Sequence, residues 1–132
     1  MIPTYSTKIS EAMIEEAILQ YLNCVGWFAW KNPTTGYYDS KIKGFRKQSS
    51  SYSINGVSDI IAVRDGEVLF IEVKTKKGVQ SKYQKIFEQK IKESGGIYWV
   101  VRSVQDVKLM LEGLEHEKIN ASEQKTSVEK NF

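Results

Sequence analysis

The sequence predicts an α/β fold, a mixed central sheet flanked by helices, on three observations. Two strand-like runs, residues 58–64 and 67–75, meet at Asp65-Gly66, a dipeptide that favours the two-residue turn of an antiparallel hairpin. A helical stretch at 81–93 separates the second run from an apolar run at 97–102, and a strand–helix–strand crossover of this kind makes its two strands parallel. Apolar residues on both faces of these central runs require a layer on each side of the sheet.

Taken in order, residues 10–25 place Met13, Ile14, Ala17, Ile18, Tyr21, Leu22 and Val25 at helical spacing, with Gly26 available to end the helix. Residues 27–31 read as a short strand broken by Asn32-Pro33. Residues 33–55 show no clear period. A connection of that length is functional, a hairpin in its own right, or mobile, and the sequence leaves the three open. The second helix opens at Ser81, turns Tyr83, Ile86, Phe87 and Ile91 inward, and stops at Ser94-Gly95-Gly96. Ser103 caps a last helix through about residue 113, with Asp106 as its capping-box partner. Residues 1–113 are thus expected to form one domain, and 114–132 a polar, flexible tail.

The composition suits one soluble domain: 132 residues, 41% hydrophobic and 27% charged. A single histidine, His116, and a single cysteine, Cys24, exclude zinc clusters, disulfide frameworks and Cys/His nucleophile pairs. The longest apolar run, 97–101, falls far short of the roughly 18 residues that a membrane span needs. The first ten residues carry no apolar secretory core, so the chain is expected to be intracellular, not secreted, and without a membrane partner. The net charge of +3 is unevenly spread, because residues 40–92 hold 12 basic against 5 acidic side chains. A polyanionic partner and a solvated lysine-rich face account for that excess about equally well.

Counting outward from the Asp65-Gly66 turn puts Asp59 directly opposite Glu72, and a side-chain period of two puts Lys74 on the same face as Glu72. Two facing carboxylates in an Ile/Val/Phe-rich sheet repel and lose hydration unless a cation lies between them. Oxygen donors with no histidine nearby favour magnesium or manganese over zinc. Lys74 would then orient or help deprotonate an attacking water, or offset charge on a phosphoryl group. An ordinary Glu72–Lys74 ion pair, with Asp59 a turn-proximal acid, reads the same spacing equally well.

Gly56-Val57-Ser58-Asp59, then Glu72-Val73-Lys74 on the next strand, then Gln84 early in the following helix, resembles the PD-(D/E)XK nuclease superfamily. Within it the pattern is most similar to the VRR-NUC family, the virus-type replication-repair nucleases. Glu11 opening the first helix ahead of Ile14 and Ile18, the run Trp27-Phe28-Ala29-Trp30-Lys31-Asn32, and the run from Gly95-Gly96 to Arg102-Ser103 follow in the family's order over about residues 10–110. Ser58 stands where the superfamily's name has proline. The resemblance implies a restriction-endonuclease-like core, Asp59, Glu72 and the Val73 carbonyl as ligands of Mg2+ (with Mn2+ able to substitute), and Lys74 as the catalytic lysine. It implies Glu11 as an additional acid near the metal and Gln84 as a positioning group for Lys74 or the phosphate. Plainer readings stand beside these: Glu11 suits the positive end of its helix, Ser81 with Gln84 satisfies a capping box, and Glu15 competes as the helix-one acid.

Lys76, Lys77, Lys82 and Lys85, with Lys41, Lys43, Arg46 and Lys47 from the long connection, would track a nucleic-acid backbone by charge. Tyr37, Tyr38, Phe45 and Tyr52 would stack on splayed bases or pack locally. The implied function is a metal-dependent DNA endonuclease, structure-specific for branched, Holliday-junction or single-stranded DNA, in repair, recombination or phage replication. By the same resemblance it would act as a homodimer in a bacterial or phage-infected host cytoplasm. The alternatives are a catalytically inactive nucleic-acid-binding module on the same fold and a phosphoesterase acting on small molecules.

Overall fold

A computed structural model of the chain describes residues 8–33, 37–46 and 51–130. Helix α1 (Glu11–Cys24) leads into β1 (Phe28–Lys31), then come β2 (Tyr37–Asp39), β3 (Gly44–Arg46), β4 (Ile60–Arg64), β5 (Glu67–Val73), α2 (Lys82–Glu93), β6 (Ile97–Val101) and α3 (Val104–Lys130). Four strands form the main sheet in the order β1-β4-β5-β6. The first two pairings are antiparallel and β5–β6 is parallel, so the sheet is mixed and the fold is α/β.

The β4–β5 hairpin forms because Asp65 (φ 50°) and Gly66 (φ 79°) both accept left-handed backbone, the geometry that matches the twist of the flanking strands. Register then runs from Arg64↔Glu67 out to Ile60↔Ile71. That spacing turns Ile60, Ala62, Leu69, Ile71 and Val73 to one face, where Ile18 and Leu22 of α1 and Val107 and Leu111 of α3 cover them. The α1-to-β1 corner is fixed by Asn23, whose amide donates to the Leu19 and Ala29 carbonyls and accepts from the Ala29 N–H.

The opposite face is covered only in part. Phe87 of α2 meets Phe70 and Tyr98 edge-on, with ring centroids 5.6 and 6.0 Å apart. Tyr83 and Ile86, expected on the inner face of α2, are exposed because the helix sits over β5 and β6 and stops short of β1. Phe28 and Trp30 on β1 are exposed on that uncovered half of the sheet.

One reading left open by the sequence is decided, and one expectation is corrected. Within the long connection, β2 and β3 pair as a separate antiparallel hairpin, one of the three readings the sequence left open. The last helix does not stop near residue 113 but continues to Lys130. Its extension is anchored: Leu114 packs on the core, Glu115 pairs with Arg64 at 3.6 Å, and Lys118 pairs with Glu67 at 2.8 Å. A polar stretch gains helical order when one turn of it can grip the body of the domain. No helix among the described residues is long and apolar enough to cross a membrane.

Candidate active site

Beyond Ile60↔Ile71 the main-chain ladder between β4 and β5 gives way to a side chain. Asp59 accepts the Val73 N–H on Oδ2 at 2.8 Å, while its own carbonyl accepts from the Asn32 N–H at 2.8 Å. Asp59 is thereby held on both sides, by β1 and by β5, with its carboxyl on the main chain of the residue that follows Glu72. Ser58, buried just ahead of it, donates its hydroxyl to the Ile60 carbonyl at 3.3 Å, so a polar residue is satisfied where the superfamily pattern has proline.

Glu72 is 1% exposed, on the sheet face that α2 covers. Its Oε1 accepts from Gln84 Nε2 at 2.7 Å and lies 3.8 Å from Lys74 Nζ, while Oε2 is buried with no hydrogen-bond partner. The Lys74 side chain is 12% exposed, so this pair is no solvated surface bridge. Gln84 also completes the Ser81 capping box: its Oε1 accepts from the Ser81 N–H at 2.8 Å, and its own N–H donates to Ser81 Oγ at 3.2 Å. One amide thus both caps α2 and contacts Glu72, where the sequence reading has it placing Lys74 or the phosphate. Gly56 makes the approach possible, since a Cβ there would lie 2.4 Å from the Tyr83 carbonyl carbon, and its φ of +80° suits glycine.

Burial raises the Glu72 carboxyl to about 8, and hydrogen bonding and charge from Asp59 push the same way; Lys74 opposes them. Burial also raises the Tyr98 hydroxyl, with the Glu72 charge adding to the effect. A buried carboxyl with one orphaned oxygen, beside a second, half-buried carboxyl, fits a hard divalent cation, which would offset the negative charge gathered there. Among the described residues no three His, Cys, Asp or Glu side chains lie close enough to hold a metal together. The donor set that could do so is therefore Asp59, Glu72 and backbone or water oxygens. Glu11, in the first turn of α1, acts on Glu72 only through its charge, the weakest of the influences there.

Glu15, the other helix-one acid, turns inward: it is 6% exposed and paired with Lys31 Nζ at 2.9 Å. Lys76 and Lys77 follow β5, Lys82 and Lys85 lie in the first turn and a half of α2, and all four are exposed around this end of the sheet. Lys41 and Lys43 are exposed on the β2–β3 turn and Arg46 lies on β3; Lys47 lies outside the described residues. Sequence reasoning assigned no role to Arg102, whose Nη1 donates to three carbonyls of the loop after Lys74: those of Thr75, Lys76 and, at 2.8 Å, Gly78. An arginine directly after a buried strand facing a glycine-bearing loop is the one sequence signal that pointed to it.

Neither the protein-family models nor the curated proteins contain a match to this chain. A solved structure described as "VRR_NUC domain" does match, at 17% identity and a TM-score of 0.58, over 77% of this chain and 94% of that one. The fold expected from the motif order is therefore the fold observed: a mixed four-stranded sheet with three helices, arranged as in a VRR_NUC domain.

Proposed function

We propose that this chain is a metal-dependent DNA endonuclease. The observation that carries the reading is the meeting of Asp59 and Glu72 at a sheet end: Asp59 accepts from Val73, the residue after Glu72, while Glu72 is buried with one oxygen orphaned and with Gln84 and Lys74 on the other. A structural ion pair alone gives no reason to set a half-buried acid beside a buried one. The likeness in fold to a VRR_NUC domain supports the same chemistry.

Asp59, Glu72 and the Val73 carbonyl would hold Mg2+ or Mn2+, with Glu11 adding negative charge from α1. Such an ion supplies Lewis-acid polarisation of the scissile phosphate and a water of lowered pKa. Gln84 fixes the Glu72 carboxylate by its N–H, and Val73 fixes Asp59, so neither acid has to reorganise when substrate arrives. Lys74 stands 3.8 Å from Glu72, where its ammonium offsets charge that develops on the phosphoryl oxygens or orients the attacking water. Lys76, Lys77, Lys82 and Lys85 grip the backbone near the cut, and the β2–β3 hairpin with Lys41, Lys43 and Arg46 extends that grip. Branched or single-stranded DNA is the substrate class this suits, and paired cuts on two strands would need a homodimer.

Single-stranded, duplex, flap and four-way-junction DNAs, incubated with magnesium or EDTA, test the reading against Asp59→Ala and Lys74→Ala. Cutting by the parent protein with magnesium, abolished by EDTA and by either substitution, is the expected result. Binding by all three proteins with no cutting by any would assign the chain to a non-catalytic nucleic-acid-binding module instead. Light scattering of the parent protein with and without a junction gives the oligomeric state.

A further inference from the structure

Lys31 closes β1 opposite Ile60, and the next residue, Asn32, donates its N–H to the Asp59 carbonyl. The lysine therefore stands at the same end of the sheet as Asp59. Strand alternation puts it on the face that α1 covers, whereas Glu72 and Lys74 lie on the face of α2. In strand order Asp59 is bracketed: Lys31 on the β1 side, Glu72 and Lys74 on the β5 side.

What holds Lys31 in place is a buried carboxylate. Glu15 is 6% exposed, and its Oε2 lies 2.9 Å from Lys31 Nζ, yet the lysine side chain is 57% exposed. An ammonium has three N–H donors, and its contact with Glu15 is an ion pair to a single oxygen at 2.9 Å. More than half of the side chain is open to solvent, and Asp59 adds its charge to that of Glu15. An ion pair made through one oxygen leaves the exposed cation open to a second anionic partner. A long side chain pinned by a rigid helix has already lost the rotamer entropy that ligand binding would otherwise cost.

We propose that Lys31, anchored by Glu15, binds a backbone phosphate flanking the scissile one, on the α1 side of the site. The inference rests on the nuclease reading above. It makes the site a two-sided clamp, with Lys74 at the cut and Lys31 one phosphate away.

Binding of a fluorescein-labelled single-stranded oligonucleotide, measured across a salt series in the non-cutting Asp59→Ala background, tests it without relying on cleavage. Each lost phosphate contact on a single strand lowers the slope of log K against log salt by about 0.7. Lys31→Ala should show that decrease, Lys31→Arg should keep the slope, and Lys90→Ala, at the far end of α2, should leave it unchanged. An unchanged slope in Lys31→Ala, with only a lower Tm, would make the Glu15–Lys31 pair structural and overturn the inference alone. No binding by the Asp59→Ala parent, together with no cutting by the wild-type chain, would remove the nuclease reading and the inference together.

Discussion

Gln84 donates its side-chain N–H to Glu72 at 2.7 Å while its side-chain oxygen accepts from the Ser81 N–H at 2.8 Å. The second bond fixes which end of the amide is which, because only the oxygen can accept. Helix initiation and the orientation of a site carboxyl are thus set by one rotamer.

Gln84→Glu keeps an acceptor for Ser81 but replaces the donor to Glu72 with a second negative charge. Cleavage by this variant should fall at least about tenfold, with the helix cap largely retained. Gln84→Ala should lose both roles, with a stability cost of about 1 kcal/mol from the cap. Thermal melts beside single-turnover cleavage separate the two effects.

The Glu72 carboxyl, raised to about 8 by burial and by Asp59, predicts a pH dependence of stability. Its folded-state value lies above the usual 4.5, so its contribution is complete below about 4.5 and is lost as pH rises toward 8. Without divalent cation, Tm should therefore fall across this window relative to Glu72→Gln, which has no proton to lose. Added magnesium should stabilise the wild-type protein more at pH 8 than at pH 5, and Glu72→Gln little at either. A wild-type melt that tracks Glu72→Gln at every pH would mean that Glu72 does not titrate in this window.

At Gly56 a methyl group would meet the Tyr83 and Gln84 backbone at 2.4–2.6 Å, in a conformation unfavourable for any L side chain. Gly56→Ala should destabilise by about 2 kcal/mol or more and displace α2 from Asp59. Denaturant titration gives the first effect. A loss of cleavage exceeding the loss of folded protein gives the second.

Arg102 predicts a loop effect rather than a global one. Arg102→Lys should release the loop around Thr75–Gly78, since a point-charge ammonium cannot reproduce a guanidinium that serves three carbonyls. Faster hydrogen exchange at 75–80, with exchange in β4 and β5 unchanged, is the expected signature.

Much of this was legible from the chain alone, for reasons that differ by element. Asp65-Gly66 fixed the hairpin register, and with it the neighbourhood of Asp59 and Glu72, because the turn dipeptide dictates where pairing begins. The crossover from β5 to β6 followed from chirality. The extent of α3 was not legible, since its extension is held by the Lys118–Glu67 and Glu115–Arg64 pairs, which exist only once residues far apart in sequence meet. The inward turn of Glu15 and the partial cover by α2 were hidden for the same reason: helical period fixes which residues share a face, but not how far that face reaches across the sheet. The pairing of β2 with β3 has no hydrophobic period behind it, and the uncovered Phe28 and Trp30 read as core residues in any pattern of apolar spacing.

The course of α3 has a thermodynamic consequence. The helix starts beside the carboxyl pair and reaches the Asp65-Gly66 turn, where Lys118 and Glu115 fasten to Glu67 and Arg64. Five residue steps of β5, about 17 Å at about 3.3 Å each, separate Glu67 from Glu72. Substitutions at the two ends should therefore combine additively, to within about 0.5 kcal/mol. Substitutions at Arg64, Glu67 or Lys118 should then lower stability without altering the chemistry at Asp59 or Lys74, which separates the cost in folding from the cost in cleavage.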